Sequence, residues 1–200
     1  MNYETSQLLS DLKAKGWRIV NTLDQSKISQ AKINGFDLED FIREYSFDGV
    51  KISFCVMNKG SDSRRDYFKN ASCLKIDGSF KILDVKSLFE SKSVVLMDRV
   101  KSRDIYDLMV LIVDHGYQIK DIINAIIKID NKEEQQAMVA LNILTGLVPL
   151  DKDDPGFKSI GINVDMSEIY TFFKEKVSQY ESAIVMAQLS ELYDEESPRP

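Results

Sequence analysis

Apolar residues along the chain change their spacing near Asp84, from a period close to two to a period of 3.6. Before that point, Leu8, Leu9 and Leu12 already recur at helical spacing within residues 5–15 (TSQLLSDLKAK), and Gly16 follows as a helix-ending glycine. Residues 17–23 (WRIVNTL) have strand character. Over residues 26–34 (SKISQAKIN), Ile28, Gln30 and Lys32 alternate with their neighbours up to Gly35, which predicts a second strand of weaker pattern. Residues 38–45 suit a helix or a strand equally. Asp48-Gly49 is a turn dipeptide, and residues 50–57 (VKISFCVM) are the clearest strand. A polar loop with Gly60, Ser61, Asp62 and Ser63 comes next. Short strands around Leu74 and over residues 80–83 then flank Asp77-Gly78, a hairpin signal.

Beyond Asp84 the spacing predicts helices over residues 85–99, 103–115, 119–129 and 132–145, separated by Gly116 and by polar residues around Asn131. Residues 149–166 hold two prolines, two glycines and four aspartates and read as a loop or linker. Ser167 opens a last long helix with Glu168 in its first turn, running to about Tyr193, and the end of the chain is expected to be disordered. The order predicts an α+β protein: a mixed sheet with flanking helices over residues 1–116, a helical bundle over 117–195, and a tail over 196–200.

With 44% hydrophobic and 29% charged residues, there is apolar material for one sizeable core, or for a core and a satellite domain. The net charge of −6 excludes a global basic field, so any nucleic acid would have to be held by a local patch. Cys55 and Cys73 read as reduced core thiols, and together with a single histidine they leave no His/Cys zinc set. No apolar run has the length of a membrane span, and the first twenty residues do not resemble a secretory signal, so a cytoplasmic protein is expected.

Chemistry concentrates between residues 84 and 111. Lys92 and Arg99 share with Leu88, Val95 and Leu96 the stripe that should face the core, where an ammonium needs a partner or a cleft. On the following helix Asp104, Asp107, Leu108 and Leu111 form one face. Two accounts of these carboxylates stand open. Ser102 suits an N-cap, Asp104 favours the helix dipole, and Asp107 can pair with Arg103. Alternatively, the carboxylates sit beside Lys92, Arg99 or Arg103, or face a metal-bound triphosphate.

The stretch KILDVKSLFESKSVVLMDRVKSRDIYDLMVLI resembles a signature of the AbiEii/AbiGii toxin-like nucleotidyltransferases, relatives of the DNA polymerase β-type minimal nucleotidyltransferase fold. The matching positions are Asp84, Lys92, Arg99, Arg103, Asp104, Asp107 and Leu108, with segments 20–23 and 49–54 similar to family strands upstream. The resemblance spans roughly residues 8–115. It implies a partial nucleotidyltransferase-like sheet and transfer of a nucleotidyl group from a nucleoside triphosphate to an RNA, protein or small-molecule acceptor, in the manner of a toxin with a cognate antitoxin. It further implies Lys92, Asp104 and Asp107 as catalytic residues, with Lys92 on phosphate oxygens and the aspartates positioning it or the acceptor. Arg99, Arg103 and Lys101 would bind substrate.

Family members also carry a Gly-rich turn and an Asp-x-Asp strand that binds Mg²⁺. Gly60-Ser61 and Gly78-Ser79 lie too late for that turn, Asp151-Lys152-Asp153 lies in the linker, and Asp37-Leu38-Glu39-Asp40 follows no Gly-rich turn. Ser53 stands where other polymerase β-type folds have a third carboxylate. The chain is therefore expected to lack the metal-binding part, with no metal ligand of its own. Three origins are open: a truncated remnant, a complementing polypeptide from an upstream frame, or a misassigned start. Mg²⁺ would be a cofactor only with that part supplied.

Smaller signals remain. Arg64 to Lys69 (RRDYFK) is a basic aromatic stretch that suits RNA or phosphate, or a solvated loop. His115-Gly116 reads as a helix end, with catalysis as the alternative. Tyr170, Phe172, Phe173, Val177, Tyr180 and Ile184 read as bundle core, or as an interface if exposed. Three functional classes follow: a nucleotidyltransferase, active or complemented; a non-catalytic descendant serving as a binding module; and a helical interaction protein, which would lack a sheet in residues 17–83.

Overall fold

The computed structural model describes residues 5–35, 42–55, 62–76, 80–157 and 161–196. The chain divides into two compact units, Met1–Gly60 and Ser61–Pro200. It is an α+β protein, mostly helical, with two small antiparallel sheets.

The first unit contains helix α1 (Thr5–Ala14), strand β1 (Ile19–Asn21), helix α2 (Gln25–Ile33), and strands β2 (Ile42–Phe47) and β3 (Val50–Cys55). Gly16, at φ +87°, ends α1 as expected. Residues 26–34, predicted as a strand, form α2 instead. The Asp24 carboxylate caps this helix by accepting from the Ser26 N–H at 2.8 Å. Of the alternating positions Ile28 alone is buried, while Gln30 and Lys32 are exposed, so the period-two pattern has no face to bury. The undecided stretch before Asp48 resolves as β2, although residues 38–41 lie outside the described residues. The strands pair in the order β1-β2-β3, antiparallel throughout, with Ile19 opposite Phe47 and Tyr45 opposite Ile52. Asp48 (φ 46°) and Gly49 (φ 89°) make the tight turn of the β2–β3 hairpin. Among the described residues of this unit, the hydrophobic side chains of Leu23, Ile28 and Phe47 are buried.

The second unit begins with α3 (Asp62–Asn70), where a loop was expected, followed by the hairpin of β4 (Cys73–Ile76) and β5 (Phe80–Leu83). Its Asp77-Gly78 turn lies outside the described residues. Then come α4 (Val85–Val95), α5 (Ser102–His115), α6 (Ile119–Asp130), α7 (Glu134–Ala137), α8 (Val139–Leu144) and α9 (Met166–Glu196). The helix expected over residues 132–145 is broken at Met138, and that expected over 85–99 closes at Val95. One apolar cluster joins Phe89, Val94 and Leu96 to Ile105 and Leu108, to Ile122 and Ile126, and to Ile169, Phe173 and Val177. Gly116 sits inside this unit as the left-handed C-cap of α5, with φ 73°, and residues on both sides of it share the same core. Strands are thus present within residues 17–83, divided between the two units. The structure contains one mixed sheet nowhere among its described residues: the strands form a three-stranded and a two-stranded antiparallel sheet. No described helix is long and apolar enough to cross a membrane.

Candidate functional site

Of the predicted residues, Lys92, Arg99, Asp104 and Asp107 meet where α4 closes and α5 begins. Asp84 caps α4 by accepting from the Ser87 N–H at 2.7 Å, which fixes the helix on which Lys92 rides. The buried face of α4 is Ser87, Phe89, Glu90, Ser93 and Val94, while Leu88 is exposed. Lys92 therefore emerges at the edge of the core rather than within it, its stem half-buried and its ammonium directed to α5. Arg99 lies beyond the end of α4 and approaches the same point from the connecting segment.

Asp104 is the hub. It is 2% exposed, and its carboxylate accepts from Lys92 Nζ at 2.8 Å, from Arg99 Nε at 2.8 Å and from Arg99 Nη2 at 3.3 Å. Lys92 Nζ also lies 2.6 Å from Asp107 Oδ2, at the solvent edge. A buried carboxylate is tolerable only when charge-assisted bonds replace its hydration. Burial raises the proton affinity of Asp104, but the Lys92 and Arg99 bonds outweigh it and hold the carboxyl below the ordinary aspartate range. Burial likewise works against the charge on Lys92, and the two aspartates reverse that, raising its pKa. The four groups balance to zero charge.

The remaining predicted site residues are placed differently. Arg103 is exposed, and Asp107 pairs with Lys92 instead of with Arg103. Lys101 does not point to the hub; it pairs with Asp153 and lies 3.5 Å from Asp151. Ser102 is not the N-cap of α5. That position is Lys101, which makes no side-chain capping bond, and the Ser102 N–H donates to the Asp154 carboxylate at 3.2 Å. The sequence stretch 151–154, read as linker, is thus packed on the start of α5. Sequence reasoning missed this contact because its partners are about fifty residues apart and share no periodic pattern.

Two other charged groups form structural joints. Arg64, in the basic stretch that proves helical, pairs with Asp98 and Asp130, with Nε 2.6 Å from Asp130 Oδ1, tying α3 to the ends of α4 and α6. These bonds raise the guanidinium's already high pKa. Tyr67 donates its hydroxyl to the buried Glu90, which also accepts from Lys86 at 2.5 Å. Burial and that carboxylate push the Tyr67 hydroxyl well up. His115 is exposed at the last turn of α5, beside its C-cap. On α9, Phe173 and Val177 are core, with Tyr170, Phe172 and Tyr180 packed at its margin. Cys73 is a free thiol, half-buried; the Cys55 side chain lies outside the described residues.

The donor set argues against Mg²⁺ at this point. Both Asp104 oxygens and Asp107 Oδ2 already face ammonium or guanidinium groups, and Lys101 occupies Asp151 and Asp153 in the same way. Among the described residues no group of three His, Cys, Asp or Glu side chains is arranged to hold a metal. What the arrangement offers is a half-exposed guanidinium and a partly exposed ammonium, fixed in place by one buried carboxylate. Comparison of the chain with protein-family models, curated proteins and solved structures finds no match.

Proposed function

We propose that the chain is a nucleotidyltransferase-like protein that holds the phosphates of a nucleoside triphosphate through Lys92 and Arg99, and that by itself it is a binding module. Transfer to an RNA, protein or small-molecule acceptor then requires a complementing polypeptide that supplies the metal-binding part; a toxin system with an antitoxin is one setting for such a pair. The observation that carries this proposal is the hub. Asp104 is buried and saturated by Lys92 and Arg99, a geometry that suits it to positioning two cations at an accessible edge rather than to taking a proton or a metal. The resemblance of residues 81–112 to the nucleotidyltransferase signature supplies the identity of the phosphate ligand.

The test is incubation of the purified chain with labelled nucleoside triphosphates, Mg²⁺ or Mn²⁺, and total RNA. The expected outcome is nucleotide retained by the protein without transfer. Transfer that disappears in Lys92→Ala would make the chain a complete enzyme, and no retention at millimolar nucleotide would remove the proposal.

A further inference from the structure

The start of α5 carries the donors of an anion site, and a loop of the same chain fills it. The Val100 N–H donates to Asp151 Oδ2 at 3.2 Å, the Ser102 N–H donates to Asp154 Oδ1 at 3.2 Å, and the Lys101 ammonium pairs with Asp153. Two backbone N–H groups and an ammonium at the positive end of a 14-residue helix are a donor set suited to phosphate oxygens. A separate observation points the same way. Ser102 is fully buried in that first turn, and its hydroxyl has no hydrogen-bond partner. A buried hydroxyl left unpaired costs stability, so its presence needs an explanation. Carboxylates give each donor one oxygen; a phosphate has three or four, enough to take the hydroxyl as well.

We infer that the 150–154 loop is an internal occupant of a phosphoanhydride site made by Val100, Lys101 and Ser102, and that a pyrophosphate-bearing ligand displaces it. The loop acts as a competitor: Asp151, Asp153 and Asp154 stand where phosphate oxygens would bind, and Asp151 returns its own N–H to Val100 O at 2.9 Å to close the contact. Displacement would free the first turn of α5 next to Asp104, the third residue of the same helix. The inference leans on the proposed function only for the ligand being a nucleotide; the site itself rests on the donors and on Ser102.

Hydrogen–deuterium exchange of the native chain with and without pyrophosphate tests it. The expected result is faster exchange over residues 149–157, with residues 99–105 staying protected. Unchanged or slower exchange in the loop would overturn the inference. In a parallel titration, the triple variant Asp151→Asn, Asp153→Asn, Asp154→Asn should bind pyrophosphate about tenfold tighter than the native chain, because native affinity is reduced by the fraction of molecules with the loop in place. Adding Lys101→Ala should remove that gain. Equal affinity of native and triple variant, or indifference to Lys101→Ala, would count against it. The native exchange measurement stands even where the triple variant does not fold. Repeating it with ATP separates the two proposals. ATP that binds through Arg99 while the loop stays protected sinks this one alone; loop release by pyrophosphate without ATP binding sinks the nucleotide proposal alone.

Discussion

Asp104 decides the character of the site, because a carboxylate at 2% exposure cannot rely on water. Removing one partner of a buried, hydrogen-bonded ion pair leaves the other charge uncompensated, so Asp104→Ala should destabilise the chain by about 3 kcal/mol in thermal or denaturant unfolding. Asp107→Ala, at the exposed end of the same network, should cost no more than about 1 kcal/mol. Burial and the bonds from Arg99, which reach Asp104, separate the two aspartates. The Asp104 pKa is depressed in the folded state, so its contribution is fully present above the ordinary aspartate value of about 4 and is lost as the pH falls toward the depressed value. Glu90 is shifted in the same direction: burial raises it, and bonds from Lys86 and Tyr67 more than reverse that. Acid unfolding followed by circular dichroism should therefore begin below about pH 4, and Asp104→Asn should flatten that limb. A place for Asp104 and Asp107 beside Lys92 was one of two accounts left open by the sequence, and the ion pairs of Lys92 with both aspartates match that one. The engagement of Lys101 by Asp151 and Asp153 was not legible there, since nothing local records a contact across about fifty residues.

At the scale of elements, chain reversals carry the clearest predictions. Gly146 has φ +80°, and a Cβ there would lie 2.9 Å from the Tyr170 ring, whereas Gly116, at φ +73°, has open space at that position. Gly116→Ala meets backbone strain alone and should cost about 1 kcal/mol. Gly146→Ala adds the clash with the ring of Tyr170, a residue of α9, and should cost more, about 2–3 kcal/mol, as read from melting temperatures of the two variants. Periodicity located α4, α5 and α6, where one face is buried and the pattern is forced by packing. It failed for α2, whose helical state depends on the Asp24 cap and on Ile28, too few apolar positions to set a period. It also failed for α3, which has no fully buried residue and is fixed instead by Arg64 and Tyr67 reaching the helices behind them.

For the whole molecule, the division between Gly60 and Ser61 means that residues 61–200 contain the complete helical core and the hub. Expressed alone, that fragment should unfold cooperatively, with Lys92, Arg99 and Asp104 still in contact. A fragment ending at Gly116 would keep α4 and α5 but lose Ile122, Ile126, Ile169 and Phe173 from their packing, and should not give a sharp transition. The change in apolar period near Asp84 revealed the start of the helical series, but the unit begins earlier, because α3 and the β4–β5 hairpin belong with those helices. The central claim, that Lys92 and Arg99 hold phosphate at an accessible edge, is tested most directly by calorimetric titration of the native chain and of Arg99→Gln with ATP. Binding by the native chain, weakened about tenfold or more in Arg99→Gln by loss of one charge-assisted contact, is the expected result. Equal binding by the two proteins, or none by either at millimolar ATP, would contradict it.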